Sequence, residues 1–159
     1  METEMEIVKF FLPRILIATL CGAIIGVERE LKNKVAGLRT NILICVGSAI
    51  FAAGSFYLAK VYGANIADPT RMLSTIVTGV GFLGGGVIMK NNDDKITGIT
   101  TASFIWVMSA IGILAGMGAM LAPIILTVGL VFVSLFFAKV EGYIKRRKQK
   151  YKNTHTDED

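Results

Sequence analysis

The chain has 159 residues, of which 53% are hydrophobic and 18% charged, and its formal net charge is +5. Its charges are gathered into short runs between long apolar stretches, a pattern that excludes an ordinary soluble core and places the chain among membrane proteins. Nucleic-acid binding is excluded by distribution: Lys145, Arg146, Arg147, Lys148, Lys150 and Lys152 cluster just after the last apolar run, where basic residues fix orientation and meet anionic lipid.

The opening METEME is acidic and lacks the positive start of a secretory signal, so the apolar run from Ile7 to Val27 is predicted to be a retained first transmembrane helix. Pro13 is placed near its first turns, where a missing N–H costs little. Arg14 lies inside the apolar run and is read as a side chain that snorkels to the interface, with a partnered intramembrane role as the alternative. Gly22 and Gly26 form a G-x-x-x-G pair that predicts a close helix crossing. Cys21, like Cys45 further on, lies in an apolar segment without the spacing of a metal or redox pair, and both are read as small buried hydrophobes.

A charged connection follows, with Glu28, Arg29 and Glu30 closing the first helix and Arg39 opening the second. Opposite charges are thereby expected to meet at the membrane face, while pairing of the two acids with Lys32 and Lys34 is an adequate structural explanation. The second apolar run, about Ile42 to Leu58, is rich in Gly, Ala and Ser and predicts another closely packed helix.

Asp68-Pro69 marks the start of a third helix, because Asp accepts from orphan N–H groups and Pro fits the first helical position. The stretch Arg71 to Lys90 is expected to be the central helix, with Arg71, Ser74, Thr78, Gly81 and Gly85 on the face that meets a neighbour and Gly79 as a further packing candidate. Its Gly79-Val80-Gly81-Phe82-Leu83-Gly84 spells a dinucleotide-binding pattern, but no strand precedes it, so the packing explanation is taken. Arg71, in the first turn, requires Asp68, a carbonyl or an uncharged group on a neighbouring helix as partner.

Asp93 and Asp94 fall in a polar turn. Two adjacent carboxylates attract Mg²⁺ but supply too few ligands for an octahedral site, and the same residues are ordinary turn formers. The apolar stretch from Ile99 to Ala138 is too long for one crossing and is predicted to fold back at Gly116-Met117-Gly118. Its first half carries a second small pair, Gly112/Gly116, and Trp106, which is expected to pack inside the bundle. Its second half is expected to face lipid. The only histidine, His155, lies in the polar tail, so histidine-based catalysis within the membrane is excluded.

The expected fold is therefore all-α, a polytopic membrane helix bundle of about five transmembrane helices with short loops over residues 1–138, followed by a basic and then acidic tail over 139–159. Loop charges place the N-terminus outside and the tail in the cytoplasm.

The motifs Gly22 to Glu30, Ala36 to Thr40, Thr78 to Ile88 and Gly98 to Ala102, with Trp106 downstream, resemble in order the transmembrane domain of the MgtC/SapB family of bacterial membrane proteins. The resemblance implies an inner-membrane protein tied to magnesium limitation, with Mg²⁺ as a ligand or transported ion and no other cofactor. Only about twenty polar residues follow Ala138, so the chain is similar to the short SapB-type form without a soluble C-terminal domain. A non-enzymatic role is expected, in which the protein self-associates or binds another membrane protein; divalent-cation transport is the alternative. The candidate polar networks lie at the two ends of the bundle, Glu28, Arg29, Glu30 and Arg39 at one and Asp68 and Arg71 at the other.

Overall fold

A computed structural model describes residues 2–63, 68–91 and 94–155. In chain order the elements are α1 (Glu2–Leu31), α2 (Leu38–Tyr62), α3 (Pro69–Gly86), a hairpin of β1 (Met89–Lys90) and β2 (Ile96–Thr97), α4 (Ile99–Gly116) and α5 (Ala122–His155). The chain divides after Thr127 into two compact units.

In the first unit the hub is α2, which touches α1, α3 and α4. Its side chains explain why: Cys45, Ser48, Ala49, Ala52, Ala53 and Ser55 are all buried, and small residues let several backbones approach one helix. A Cβ on Gly22 would lie 2.7 Å from Ile42 Cα, and one on Gly26 would lie 2.8 Å from Leu38 Cα, so α1 and α2 run antiparallel in close contact. On the other side a methyl at Gly112 would overlap the Cys45 carbonyl, and one at Gly116 the Ala49 carbonyl. These pairings ascend together, so α2 and α4 are parallel. The hydroxyls of Ser48 and Ser109 meet at 2.8 Å across this contact, satisfying two polar groups that would otherwise be stranded.

The parallel arrangement dictates the course of α3, which must carry the chain back along the bundle from the end of α2 to the start of α4. Its 18 residues reach about 27 Å. α1, α2, α4 and the part of α5 up to Arg147 are long and apolar enough to cross a membrane, and the chain is a membrane protein. α3 is outside that set, because Arg71, Ser74, Thr75, Thr78 and its glycines dilute its apolar character.

The third helix differs from its expected form in two respects. It ends at Gly86 rather than Lys90, since three consecutive glycines give the helix little reason to continue. The chain then pairs Met89 with Thr97 and Lys90 with Ile96. Gly98 closes the hairpin at φ +88°, with the Val87 carbonyl occupying the place of a side chain, so only glycine fits. Nor is α3 central: it buries only Ile76, Val80 and Gly84.

Pro13 is also displaced from its expected position. α1 begins at Glu2, so the proline is interior and Lys9 loses its helical donor. The break after α4 falls where expected, with Gly118 at φ +95° and Pro123 in the first turn of α5.

In the second unit, α5 continues unbroken past Ala138, so the start of the polar tail is a change of composition within one helix. Phe132, Phe136 and Phe137 form ring contacts at 6.4 and 5.4 Å.

Candidate functional site

The residues with most chemistry lie where α1 ends, α2 begins and α4 begins. Two charged side chains are buried there, Arg29 at 3% and Glu28 at 10% side-chain exposure. Arg29 donates from Nε to Glu28 Oε2 at 2.5 Å and from its terminal Nη2 to Oε1 at 2.9 Å, a two-pronged bond between neighbours in sequence. Lys32, one turn on, pairs with the same carboxylate. The Arg29 guanidinium lies 3.9 Å from the centroid of the Phe104 ring on α4, so the pair is held by α1 and covered by α4.

Glu30 turns the other way. Its carboxylate accepts from the Leu38 N–H at 2.8 Å and so caps α2, whose own cap residue is Gly37 and has no side chain to offer. A methyl on Gly37 would collide with that carboxylate. Asn41, fully buried, donates from Nδ2 to the carbonyls of Ala36 and Gly37, both at 2.8 Å, and fixes the turn between α1 and α2. Glu28, Arg29 and Glu30 thus come together around one turn.

Arg39 does not join them. It is exposed and makes no ion pair among the described residues, because Leu38 takes the side of α2 that faces α1 and Arg39 is turned about 100° away. Arg71 is likewise exposed. Asp68 spends its carboxylate on the Thr70 N–H at 2.8 Å and the Thr70 hydroxyl at 2.7 Å. Those bonds, with a smaller contribution from the Arg71 charge, hold the Asp68 pKa below the usual carboxylate range.

Two further expectations are corrected. Arg14 does not snorkel free: its Nε donates to the Gly116 carbonyl at 3.1 Å, its Nη1 donates to the Phe10 carbonyl, and its guanidinium covers the Phe10 ring at 3.7 Å. It thereby caps the last turn of α4 from α1, where carbonyls lack partners and a cation suits the helix dipole. Trp106 is half exposed rather than internal, since Ile105, Met108, Ser109 and Gly112 take the buried side of α4.

The small-residue pairs separate. Gly22, Gly26, Gly112 and Gly116 face neighbouring backbones, whereas a Cβ on Gly79, Gly81 or Gly85 meets nothing within 4 Å among the described residues. Thr78 gives its hydroxyl to the Ser74 carbonyl of its own helix. Asp93 lies outside the described residues, and Asp94 forms an exposed pair with Lys90 at 2.8 Å. Among the described residues no three His, Cys, Asp or Glu side chains gather in metal-binding range.

Phe104 and Asn41 were not singled out in the sequence. A polar residue just inside an apolar run was a signal for Asn41; Phe104 carried none, because nothing local distinguishes a ring over a cation from a ring in lipid.

Three of the four ordered motifs now have a structural reason: Gly22 and Gly26 for the α1–α2 crossing, Glu28 to Glu30 and Gly37 for the turn, Gly98 for the hairpin. A family model described as "MgtC family" matches residues 15–143. The chain belongs to the MgtC family. It is 44% identical over 105 residues to Protein SapB of Bacillus subtilis (strain 168), covering 64% of this chain and 45% of that protein. It is 47% identical over 113 residues to YhiD of Escherichia coli (strain K12), whose name proposes it as a magnesium transporter, covering 69% and 52%. To Protein MgtC of Salmonella typhimurium (strain LT2) it is 39% identical over 118 residues, covering 74% and 48%. The chain spans about half the length of these curated relatives. No solved structure matches it.

Proposed function

We propose that this MgtC-family chain is a non-enzymatic bacterial inner-membrane protein that supports adaptation to low magnesium by binding another membrane protein or a second copy of itself. The observation that carries this reading is the state of Glu28. A carboxylate that strips and passes a divalent cation must be free to coordinate it, whereas Glu28 is already neutralised by Arg29 and Lys32 in a buried pair roofed by Phe104. Such a pair, in which each charge depends on the other, favours a fixed geometry over an exchanging ion. The name of YhiD supplies the magnesium link, and loop charge favours an external N-terminus with the basic tail in the cytoplasm.

Divalent-cation transport is the second reading, favoured by the name of YhiD. The two separate in one experiment: purified full-length chain in liposomes loaded with a Mg²⁺ indicator. The proposed role predicts influx equal to that of protein-free liposomes; protein-dependent, saturable influx would establish transport instead.

A further inference from the structure

An apolar groove of about 610 Å³ runs between α2 and α3, floored by Ile44, Ile76 and Ile105. It exists because two glycines facing it, Gly47 and Gly79, carry no side chain to fill it; a Cβ on either meets nothing within 4 Å among the described residues. Of its three hydroxyls, Thr75 donates to the Arg71 carbonyl, Ser48 is bonded to Ser109, and Thr40 lies at the end next to Arg39, so the middle of the groove is apolar. The lining therefore selects a flexible hydrocarbon.

The two ends of this groove differ in charge. On α2 the groove residues Leu43, Gly47 and Phe51 recur every fourth position, and Arg39 heads the same stripe one turn earlier. On α3 the stripe Thr75, Gly79 and Leu83 is headed by Arg71. Because α3 runs back along α2, the two arginines mark opposite ends. At the Arg71 end Asp68 stands three residues away at the start of the same helix, bonded to Thr70 and close enough for its charge and that of Arg71 to act on each other. At the Arg39 end the nearby acid, Glu30, is committed to the Leu38 N–H, and Arg39 is exposed without an ion pair among the described residues.

We propose that this groove binds the acyl chain of one anionic phospholipid, whose phosphate is held by the Arg39 guanidinium where α2 begins. Arginine presents a planar fork matched to a phosphate, and a lipid seated this way satisfies both the apolar trough and the uncompensated cation. The inference does not depend on the magnesium reading.

The test is native mass spectrometry of the full chain released from vesicles of equal phosphatidylglycerol and phosphatidylethanolamine. Wild type is expected to retain one phosphatidylglycerol about tenfold over phosphatidylethanolamine, the preference that one charge-assisted contact supplies. Arg39→Gln should abolish the preference and Arg71→Gln preserve it, while Gly79→Leu, which fills the groove without touching Arg39, should lower retention of both lipids. Equal preference in wild type and Arg39→Gln overturns the proposal. So does a lipid-free dimer that Gly79→Leu converts to monomer, since the occupant is then a second copy.

Discussion

α3 and α4 are both 18 residues long, both glycine-bearing and adjacent in the bundle, yet they are built to opposite ends. α4 buries nine residues and sets Gly112 and Gly116 against the backbone of α2; α3 buries three and leaves Gly79, Gly81 and Gly85 open. The same four-residue spacing therefore has two meanings. It shows that a helix can be approached closely, and the surrounding helices decide whether anything in the same chain does so.

The sharpest way to break this comparison is to place one bulky side chain on each helix. Gly112→Leu should destabilise the bundle by about 3 kcal/mol or more, because the Cys45 carbonyl stands where the side chain must go. Gly81→Leu should change stability by no more than about 0.5 kcal/mol, since the new side chain enters open space. Reversible unfolding in mixed micelles reads both. Comparable losses would mean that α3 is packed as tightly as α4.

A smaller effect is expected where α1 secures the end of α4. Arg14→Gln removes a cation from the Gly116 carbonyl and from the Phe10 ring, and should cost about 2 kcal/mol with earlier fraying of the last turn of α4. Hydrogen exchange at Met117, whose N–H bonds to the Ile113 carbonyl, should quicken. Unchanged exchange would leave Arg14 without this capping role.

The smallest effect belongs to the start of α3. Asp68 has a folded-state pKa held below its unfolded value by the Thr70 bonds. Its contribution is therefore present above the ordinary carboxylate pKa of about 3.9 and is lost as pH falls through the lower folded value. Exchange at the Thr70 N–H, corrected for its intrinsic pH dependence, should rise only in that acid window, and Asp68→Ala should remove the dependence.

Much of this was legible in the sequence, because helix boundaries are set locally. Asp68-Pro69 announced a start and Gly116 to Gly118 a stop, and apolar length announced the spans. What stayed hidden depended on the azimuth of one helix against another. Arg39 sits one residue from Leu38, and a turn of about 100° decides which of them faces α1. Arg14 finds its partner 102 residues away, at a carbonyl every helix end possesses. The hairpin at Met89 to Thr97 was masked because apolar Val87, Ile88 and Met89 extend the pattern of α3 past the glycines that end it.

The functional account rests on the buried pair at the end of α1, and one growth assay reaches it most directly. In a strain that depends on this protein at low Mg²⁺, Glu28→Gln leaves Arg29 buried opposite an uncharged amide, a loss of about 3 kcal/mol or more at that site. With inserted protein matched to wild type, growth should fail for Glu28→Gln and persist for Asp94→Asn, whose carboxylate pairs only at the surface with Lys90. Normal growth of Glu28→Gln, with failure of Asp94→Asn, would contradict the account and move the active feature to the hairpin.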